Sequence, residues 1–480
     1  MERVKVIRNN EDWWALWIGL FVFVVSLGTL IGKDPLGWGV ATRVWLDISK
    51  ATGPVSKAYE GMPGIVALLL TYVFMLAIMT VGAKALKFDV KEFAIGFTVI
   101  FWVSYVCWLI GNWAYIAATP NQLKGFGLRW ALGLTGEAGF VVALVAGLIF
   151  GNFFPSVTNF LKEATRPEWY IKTAIVILGA SLGVQSAGAT GLAKTIMFSG
   201  FAAIVIAYLI YWALVYLIAR KLFKFSREWS APLASGISIC GVSAAIATGA
   251  AIKTRPVIPI MVSSLVVIFA VVELLVLPFM AETFLYHQPM VAGAWMGLAV
   301  KTDGAAVASG AITDALIRAK ALAATGVNYK EGWILMTTTT VKIFIDIFIG
   351  VWAFILALIW VYAIEKKSGK TVSLGEIWER FPKFVIGYAL TFLVMLMVML
   401  QMPSMTNAAK LSTGESNIFR VLFFVMTFFT IGLVSNFKKL WEEGIGRLAL
   451  VYVVCLFGFI IWIGLIISWV FFHGLMPPTV

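Results

Sequence analysis

Apolar runs of about 20 residues recur along the whole chain, and this repetition restricts the fold more than any single motif does. A helix rises about 1.5 Å per residue, so a run of this length crosses the ~30 Å hydrocarbon core of a bilayer. Only 13% of the 480 residues are charged, whereas a soluble domain uses about 25% to cover its surface. The pattern therefore predicts an all-α polytopic membrane protein.

The runs predict thirteen transmembrane helices with no soluble domain between them. They cover residues 13–31, 64–85, 92–117, 135–153, 170–187, 195–219, 233–252, 257–282, 289–311, 333–363, 384–401, 418–436 and 447–472. Lysine and arginine are more frequent in the loops on the side of the N-terminus. The positive-inside rule then predicts a cytoplasmic N-terminus and an external C-terminus. The same rule accounts for the net charge of +13, and we expect no nucleic-acid partner.

Cysteine and histidine are too few and too dispersed for most catalytic or metal chemistry. The three cysteines lie far apart in apolar segments, and the two histidines lie near segment ends. This distribution fits neither a disulfide framework nor a zinc site. No histidine, cysteine or carboxylate cluster has catalytic spacing. We therefore expect a protein that is not an enzyme and that carries no metal and no cofactor.

Two segments within the apolar runs consist mostly of small residues. They are GISICGVSAAIATG at 236–249 and GLAVKTDGAAVASG at 297–310, and they share five identical positions when aligned. Close packing of helices is one explanation, because small residues let transmembrane helices approach each other. The other is an interrupted helix whose free N–H groups line a cavity and attract an anion. The first segment fits the second explanation through Gly236, Gly241 and Gly249, which weaken a helix, and through its polar side chains. These are Ser238, Cys240, Ser243 and Thr248.

Five ionisable residues lie inside predicted spans of the same region. Lys301 and Asp303 belong to the second small segment, Lys342 and Asp346 are one turn apart, and Glu273 lies in the helix between the two small segments. Such residues are costly in hydrocarbon and usually face a cavity or a partner. Lys342 and Asp346 could instead simply neutralise each other, although lysine before aspartate is the weaker order. Glu273 could likewise only pair with a neighbour.

A third candidate for an interrupted helix is FFTIGLVSNFKK at 428–439. Polar and small residues break its apolar pattern at Thr430, Gly432, Ser435 and Asn436. The motif GLIFGN at 147–152 offers a further face of spaced glycines, which favours helix packing over binding.

Several of these motifs, in this order, resemble the sulfate exporter family of bacterial inner-membrane proteins (YeiH type). The motifs are LVAGLIFGNFFP, IKTAIVILGASLG, GISICGVSAA, GLAVKTDGAAVASG and TIGLVSNFKK. The Ser-Ile-Cys-Gly element at 238–241 is the most specific, and the resemblance covers roughly residues 91–472. It implies a cytoplasmic-membrane location and an architecture like that of bile-acid symporters and sodium/proton antiporters. Where relatives have His-Glu, this chain has Lys301-Thr302. Lys342 matches a family lysine, and Asp346 falls near a family arginine.

The resemblance also implies a division of the chain into two inverted five-helix repeats, each with one discontinuous helix. Residues 135–282 would form the first repeat and residues 289–472 the second, with discontinuous helices at 233–252 and 418–436 that cross near the midplane. Residues 1–90 would be an N-terminal extension of two helices, followed by a third helix and a linker at 91–134.

The residues and the resemblance together predict a secondary transporter of a small anion such as sulfate, a sulfonate or a carboxylate. We expect the coupling ion, H⁺ or Na⁺, at Asp303, Asp346 or Glu273. The alternatives are a cation/proton antiporter with these carboxylates as ion ligands, or an anion channel. The expected partners are the solute and the bilayer, and homo-oligomerisation is left open. The predicted anion ligands are Ser238, Cys240, Gly241, Ser243, Lys301, Thr302, Lys342, Thr430, Gly432, Ser435 and Asn436.

Overall fold

A computed structural model describes residues 10–118, 122–132, 136, 138–255, 257–364, 382–435 and 446–480 of the chain. Nearly all of the regular structure is helical. The helices are α1 (Glu11–Ser26), α2 (Gly64–Ala85), α3 (Val90–Gly111), α4 (Ala114–Ala117), α5 (Leu123–Phe126), α6 (Ala138–Phe153), α7 (Pro155–Phe160), α8 (Pro167–Ala187), α9 (Thr190–Leu217), α10 (Arg227–Ser238), α11 (Gly241–Ala251), α12 (Val257–Leu285), α13 (Pro289–Ala299), α14 (Asp303–Thr325), α15 (Trp333–Leu358), α16 (Phe384–Gln401), α17 (Thr406–Val434), α18 (Gly446–Cys455) and α19 (Ile461–Phe472).

Ten helices in the described part of the chain are long and apolar enough to cross a bilayer. Three of the thirteen predicted runs are not continuous helices. The run at 92–117 contains the end of α3 at Gly111 and, after two residues, the short helix α4. The run at 233–252 consists of α10 and α11, and the run at 289–311 is divided between α13 and α14. The run at 135–153 forms the 16-residue helix α6. The fold is thus mostly helical. At the interruptions, a run that hydropathy predicts as one span consists of two shorter helices.

The first of two compact units lies within Met1–Ala193, Ala319–Val327 and Lys383–Val434. Its helices approach closely at glycines, as expected for packing in lipid. A Cβ atom at Gly179 of α8 would lie 2.4 Å from the carbonyl oxygen of Tyr388 on α16. The N-terminal helix α1 belongs to the same unit, where Lys172 of α8 pairs with Asp12 at 2.8 Å. The intramembrane Lys172 is therefore neutralised inside this unit.

A small hairpin follows α1 in the first unit. Strand β1 (Val40–Thr42) runs antiparallel to strand β2 (Thr52–Pro54), with Ala41 opposite Gly53. The Val40 N–H donates to the hydroxyl of Thr71 on α2 at 3.0 Å. The polar segment between α1 and α2 is thus an ordered structure fixed against a helix.

The second compact unit lies within Lys194–Arg318, Asn328–Pro382 and Ser435–Val480. In it α13 is fixed from two sides. The Trp295 indole N–H donates to the carbonyl of Ile461 on α19 at 2.8 Å, and the Thr338 hydroxyl of α15 donates to the carbonyl of Gly293 at 2.7 Å. These contacts fix the middle of α13, which is followed by the chain break, on two sides.

The two units do not coincide with the two predicted repeats. Each contains residues from both 135–282 and 289–472. The inverted-repeat division and the role of residues 1–90 as an extension therefore stay predictions.

Candidate functional site

The first interruption lies between α10 and α11. Ile239 leaves the helical conformation (φ −112°, ψ −109°), and Gly241 starts the next helix with φ +20°, a value that side chains rarely allow. A Cβ atom at Gly241 would also collide with the side chain of Val266 on α12. The predicted break in this run is present, and Gly241 is the residue that makes it sterically feasible.

The second interruption lies between α13 and α14, at the three residues Val300 to Thr302. Val300 is extended (φ −77°, ψ 127°), and the Thr302 hydroxyl accepts the Ala305 N–H at 3.2 Å as the cap of α14. Asp303 is then the first residue of α14. The aligned small segments are thus both broken at equivalent points, since Ile239 aligns with Val300. Because both segments are broken at the same aligned position, similar packing demands alone do not explain why the two sequences are alike.

The two interruptions meet at the ammonium group of Lys342 on α15. Its Nζ donates to the carbonyl of Ile239 at 3.4 Å and to the carbonyl of Lys301 at 3.3 Å. These carbonyls follow the C-terminal ends of α10 and α13, where helices carry partial negative charge and unpaired acceptors. The lysine therefore compensates both half-helix ends at once.

A thiol and two carboxyl groups lie beside that ammonium group. Lys342 Nζ is 3.7 Å from Asp303 Oδ1, and the Cys240 thiol donates to the same oxygen. Ligand atoms of Cys240, Asp303 and Asp346 all lie within 4.8 Å of one another, and all three residues are buried. Lys342 thus forms an ion pair with Asp303. The sequence by itself allows a simple pair of Lys342 with Asp346 instead.

Asp346 is 1% exposed, and its carboxyl group lies beside the thiol of Cys240 and the carboxyl group of Asp303. Two neighbouring buried carboxylates repel each other unless a proton or a cation lies with them. Asp346 is therefore suited to hold a proton or an ion.

Glu273 and Lys301 serve the backbone of the second interruption. Glu273 Oε2 accepts the backbone N–H of Lys301 at 3.0 Å. The Lys301 ammonium group donates to the carbonyl of Leu298 at 2.5 Å and lies 4.8 Å from the ring centre of Tyr211. Both lysines of the cluster are thus engaged by protein groups, and neither presents a free charge to a solute.

The predicted anion ligands of the first small segment remain candidates. The Ser238 hydroxyl is buried, with no hydrogen-bond partner in the parts of the chain that the structure describes. Several predicted ligands lie at or beside the two breaks. They are Ser238, Cys240 and Gly241 at the first break, Lys301 and Thr302 at the second, and Lys342 between them. The side chain of Ser243 lies outside the described residues.

The predicted interruption at 418–436 is wrong for the part that the structure describes. Helix α17 is continuous to Val434, and the Thr430 hydroxyl donates to the Met426 carbonyl of its own helix at 2.7 Å. A Cβ atom at Gly432 would lie 2.5 Å from the carbonyl of Leu144 on α6. Ser435 follows the helix end, and Asn436 lies outside the described residues. Here the small residues permit close helix packing, and the second interrupted span is α13–α14 instead.

Buried threonines and hydroxyl networks around the breaks were not predicted. Thr337, Thr338 and Thr339 are fully buried on α15, where Thr338 fixes α13. The Ser235 hydroxyl of α10 accepts from Thr248 of α11 at 2.7 Å and from the Trp212 indole at 3.0 Å. The run of four threonines beside Lys342 is the sequence signal that could have revealed the first of these features.

Comparisons with known proteins agree on one family. The family described as Conserved hypothetical protein 698 matches residues 134–451. A UPF0324 membrane protein of Nitrosomonas europaea is 44% identical over 98% of both chains. Another, from Rhodopirellula baltica, is 30% identical over 89% of this chain and 70% of its own. An uncharacterised protein of Archaeoglobus fulgidus is 52% identical over 30% of this chain and 87% of its own. No solved structure matches the chain.

Proposed function

The chain belongs to the family described as Conserved hypothetical protein 698, whose matching relatives are named membrane proteins, and from this premise we propose that it is a secondary transporter of a small anion. It is a multi-pass helical membrane protein. The observation that carries the proposal is the meeting of two interrupted helices at a buried cluster of charges. Broken helices at membrane depth are tolerated where protein or a water-filled cavity satisfies their backbone, and transporters use them to bind solutes.

The anion binds at the start of α11 in this proposal. Half-helix N-termini offer free N–H groups and partial positive charge. The unpartnered Ser238 hydroxyl lies directly before this point, and Gly241 keeps the backbone open. Lys342 and Lys301 contribute indirectly, because their ammonium groups hold the half-helices and the carboxylates in place.

Proton coupling at Asp346 follows from the same geometry. The carboxyl group lies close to Asp303, so an anion entering next to two ionised carboxylates meets repulsion. A proton on Asp346 removes one of these charges. Anion and proton then enter together and leave together, with sulfate, a sulfonate or a carboxylate as the solute. The proposed location is the cytoplasmic membrane, as the family resemblance implies.

A cation/proton antiporter is the second candidate. The grouping of Cys240, Asp303 and Asp346 favours it, since their ligand atoms are close enough to contact one ion. The ammonium group of Lys342, 3.7 Å from Asp303, opposes cation binding there.

The test is flux of labelled sulfate into proteoliposomes that contain the full-length protein, with and without imposed proton and sodium gradients. We expect uphill accumulation driven by the proton gradient. In Asp346→Asn the uphill accumulation is lost while downhill exchange remains, because the amide is neutral at every pH. The control is Glu331→Gln, an exposed acid of the same unit.

Three results contradict the proposal. Sodium flux without any anion requirement identifies the antiporter. Fast downhill flux that never becomes uphill identifies a channel. Coupling that is intact in Asp346→Asn removes this residue as the proton carrier.

A further inference from the structure

A second pair of carboxyl groups lies in the first compact unit, outside the interrupted helices, with one residue buried and the other partly buried. Asp34 follows α1, and Glu415 lies in α17. The two chain segments are held side by side, because the Thr29 hydroxyl donates to the Ala408 carbonyl at 3.0 Å and the hydroxyls of Ser26 and Ser412 are 2.9 Å apart. The carboxyl pair therefore joins the polar segment after α1 to a long membrane helix.

The carboxyl group of Asp34 is directed inward by its neighbours. Its Oδ2 accepts a hydrogen bond from the Ser56 hydroxyl, and the backbone carbonyl of Asp34 accepts one from Tyr59 at 2.9 Å. A Cβ atom at Gly37 would collide with the same carboxyl group, so only glycine fits beneath it. The other oxygen, Oδ1, is buried without a hydrogen-bond partner among the described residues.

Glu415 of α17 is the second carboxyl group, and it lies beside Asp34. It is 0% exposed, and neither of its carboxyl oxygens has a hydrogen-bond partner in the described ranges. Asp34 is its charged neighbour, and the backbone N–H of Leu36 is a donor beside it. Two carboxyl groups thus lie together with one backbone donor and no cation.

No cation neutralises the pair within the described part of the chain. Lys33 and Lys410, the lysines nearest in sequence, are both exposed. Arg420 bonds to Asn417. Helices α1, α3, α6, α8 and α16 pack against α17 in this unit, and none of their ionisable groups forms an ion pair with Asp34 or Glu415. These groups are Glu11, Asp12, Lys91, Glu92, Tyr105, Cys107, Glu168, Tyr170, Lys172 and Tyr388.

We infer that Asp34 and Glu415 form a binding site for a single proton, which they share. Two adjacent carboxylates, one of them fully buried, repel each other when no countercharge lies beside them. One proton replaces this repulsion by a hydrogen bond, with the Glu415 hydroxyl donating to Asp34 Oδ1 while Ser56 holds Oδ2. A metal cation fits the site less well, since Ca²⁺ takes six to eight oxygen ligands and three carboxyl oxygens are free here. The proton fastens the segment between α1 and α2 to α17, whatever solute the protein transports.

The first experiment is hydrogen–deuterium exchange of the segment 36–56 across a pH series, in full-length protein in nanodiscs. Rates are corrected for the intrinsic pH dependence of exchange. Once the shared proton leaves at alkaline pH, we expect the protection of this segment to fall by about tenfold per pH unit, the slope for one linked proton. In Glu415→Gln the protection stays constant, because the amide keeps a donor toward Asp34. The control Glu92→Gln changes an exposed acid of the same unit and behaves like the wild type.

Infrared spectra of the same samples report the proton directly. A protonated-carboxyl band at neutral pH that disappears in Glu415→Gln, and shifts in Asp34→Asn, supports the inference. If either variant does not fold, the pH titration of this band in the wild type still tests the inference. Equal pH responses of wild type and Glu415→Gln overturn the proposal. Protection that requires added Na⁺ or Ca²⁺ also overturns it and identifies a metal site.

Discussion

Two regions of similar composition use their small residues in opposite ways. Around Gly241 the helix is broken, and the ammonium group of Lys342 compensates the carbonyl end of α10. Around Gly432 the helix α17 is continuous, and the glycine lets it contact the backbone of α6. Both segments interrupt an apolar run with glycine and hydroxyl residues, and both were predicted to be broken. What separates them is the presence of ionisable partners.

The ionisable partners matter because a break exposes backbone groups that lipid cannot satisfy. Lys342 provides the positive charge for two carbonyl ends, and Glu273 accepts the free N–H of Lys301. No comparable ionisable side chain lies within the described residues of the segment after Thr427. Without such partners, retaining the helical hydrogen bonds is the lower-energy choice. Small residues permit a break, and compensating polar groups stabilise it.

The largest effect is expected from Lys342→Met. Removing the ammonium group leaves Asp303 and two backbone carbonyls uncompensated, and loss of one partner of a buried ion pair costs about 3–5 kcal/mol. Thermal or denaturant unfolding in detergent measures this loss. The exposed Lys330→Met serves as control. A loss below about 1 kcal/mol, the range of an exposed ion pair, would show that Lys342 does not hold the breaks together.

An intermediate effect is expected from Gly432→Leu. The added side chain meets the Leu144 carbonyl and the Leu148 amide of α6, and overpacking of this kind costs about 1–3 kcal/mol. Gly414→Leu on the same helix is the matched control, because nothing lies within 4 Å of its Cβ position. We expect Gly432→Leu to lower stability without changing the proton dependence of transport in the protein that folds. Altered coupling would mean that Gly432 belongs to the transport site after all.

The smallest effect is expected at the ion pair of Glu228 and Arg255, which connects the start of α10 to the chain after α11. Arg255 lies just after α11. Its backbone N–H and its Nε–H donate to the carboxylate of Glu228, at the start of α10, at 2.9 Å and 3.2 Å. The backbone hydrogen bond lowers the pKa of Glu228. This contribution is therefore present at neutral pH and is lost as the pH falls below the usual range of a glutamate.

Glu228→Gln tests this link between the two ends. It should cost at most about 1 kcal/mol at neutral pH, as is typical of an exposed ion pair, and nothing in acid. Unfolding midpoints across a pH series, with the exposed Glu60→Gln as control, give the difference. A difference that grows toward acid pH has the wrong sign and refutes the link.

Much of the architecture can be predicted from local properties of the sequence. Apolar run length located the ten helices that are long enough to cross a bilayer, since this property depends on the segment itself, whereas three further runs form shorter or broken helices. The glycines of 236–249 indicated the first break. The alignment of that segment with 297–310 is consistent with the second break as well, but close packing of small residues explains the same alignment. The charged residues inside spans marked the region where both breaks lie.

Only the tertiary structure decided which residues act on which. Lys342 is one turn from Asp346 in the sequence, yet it contacts Asp303 and the carbonyls of Ile239 and Lys301, all on other segments. Gly432 faces α6, so its segment stays helical. The reason is physical: a buried charge or an unpaired backbone group is satisfied by its nearest neighbour in space, and for these residues that neighbour is distant along the chain. Hydropathy therefore determined where the helices are, and long-range polar contacts determined where they break.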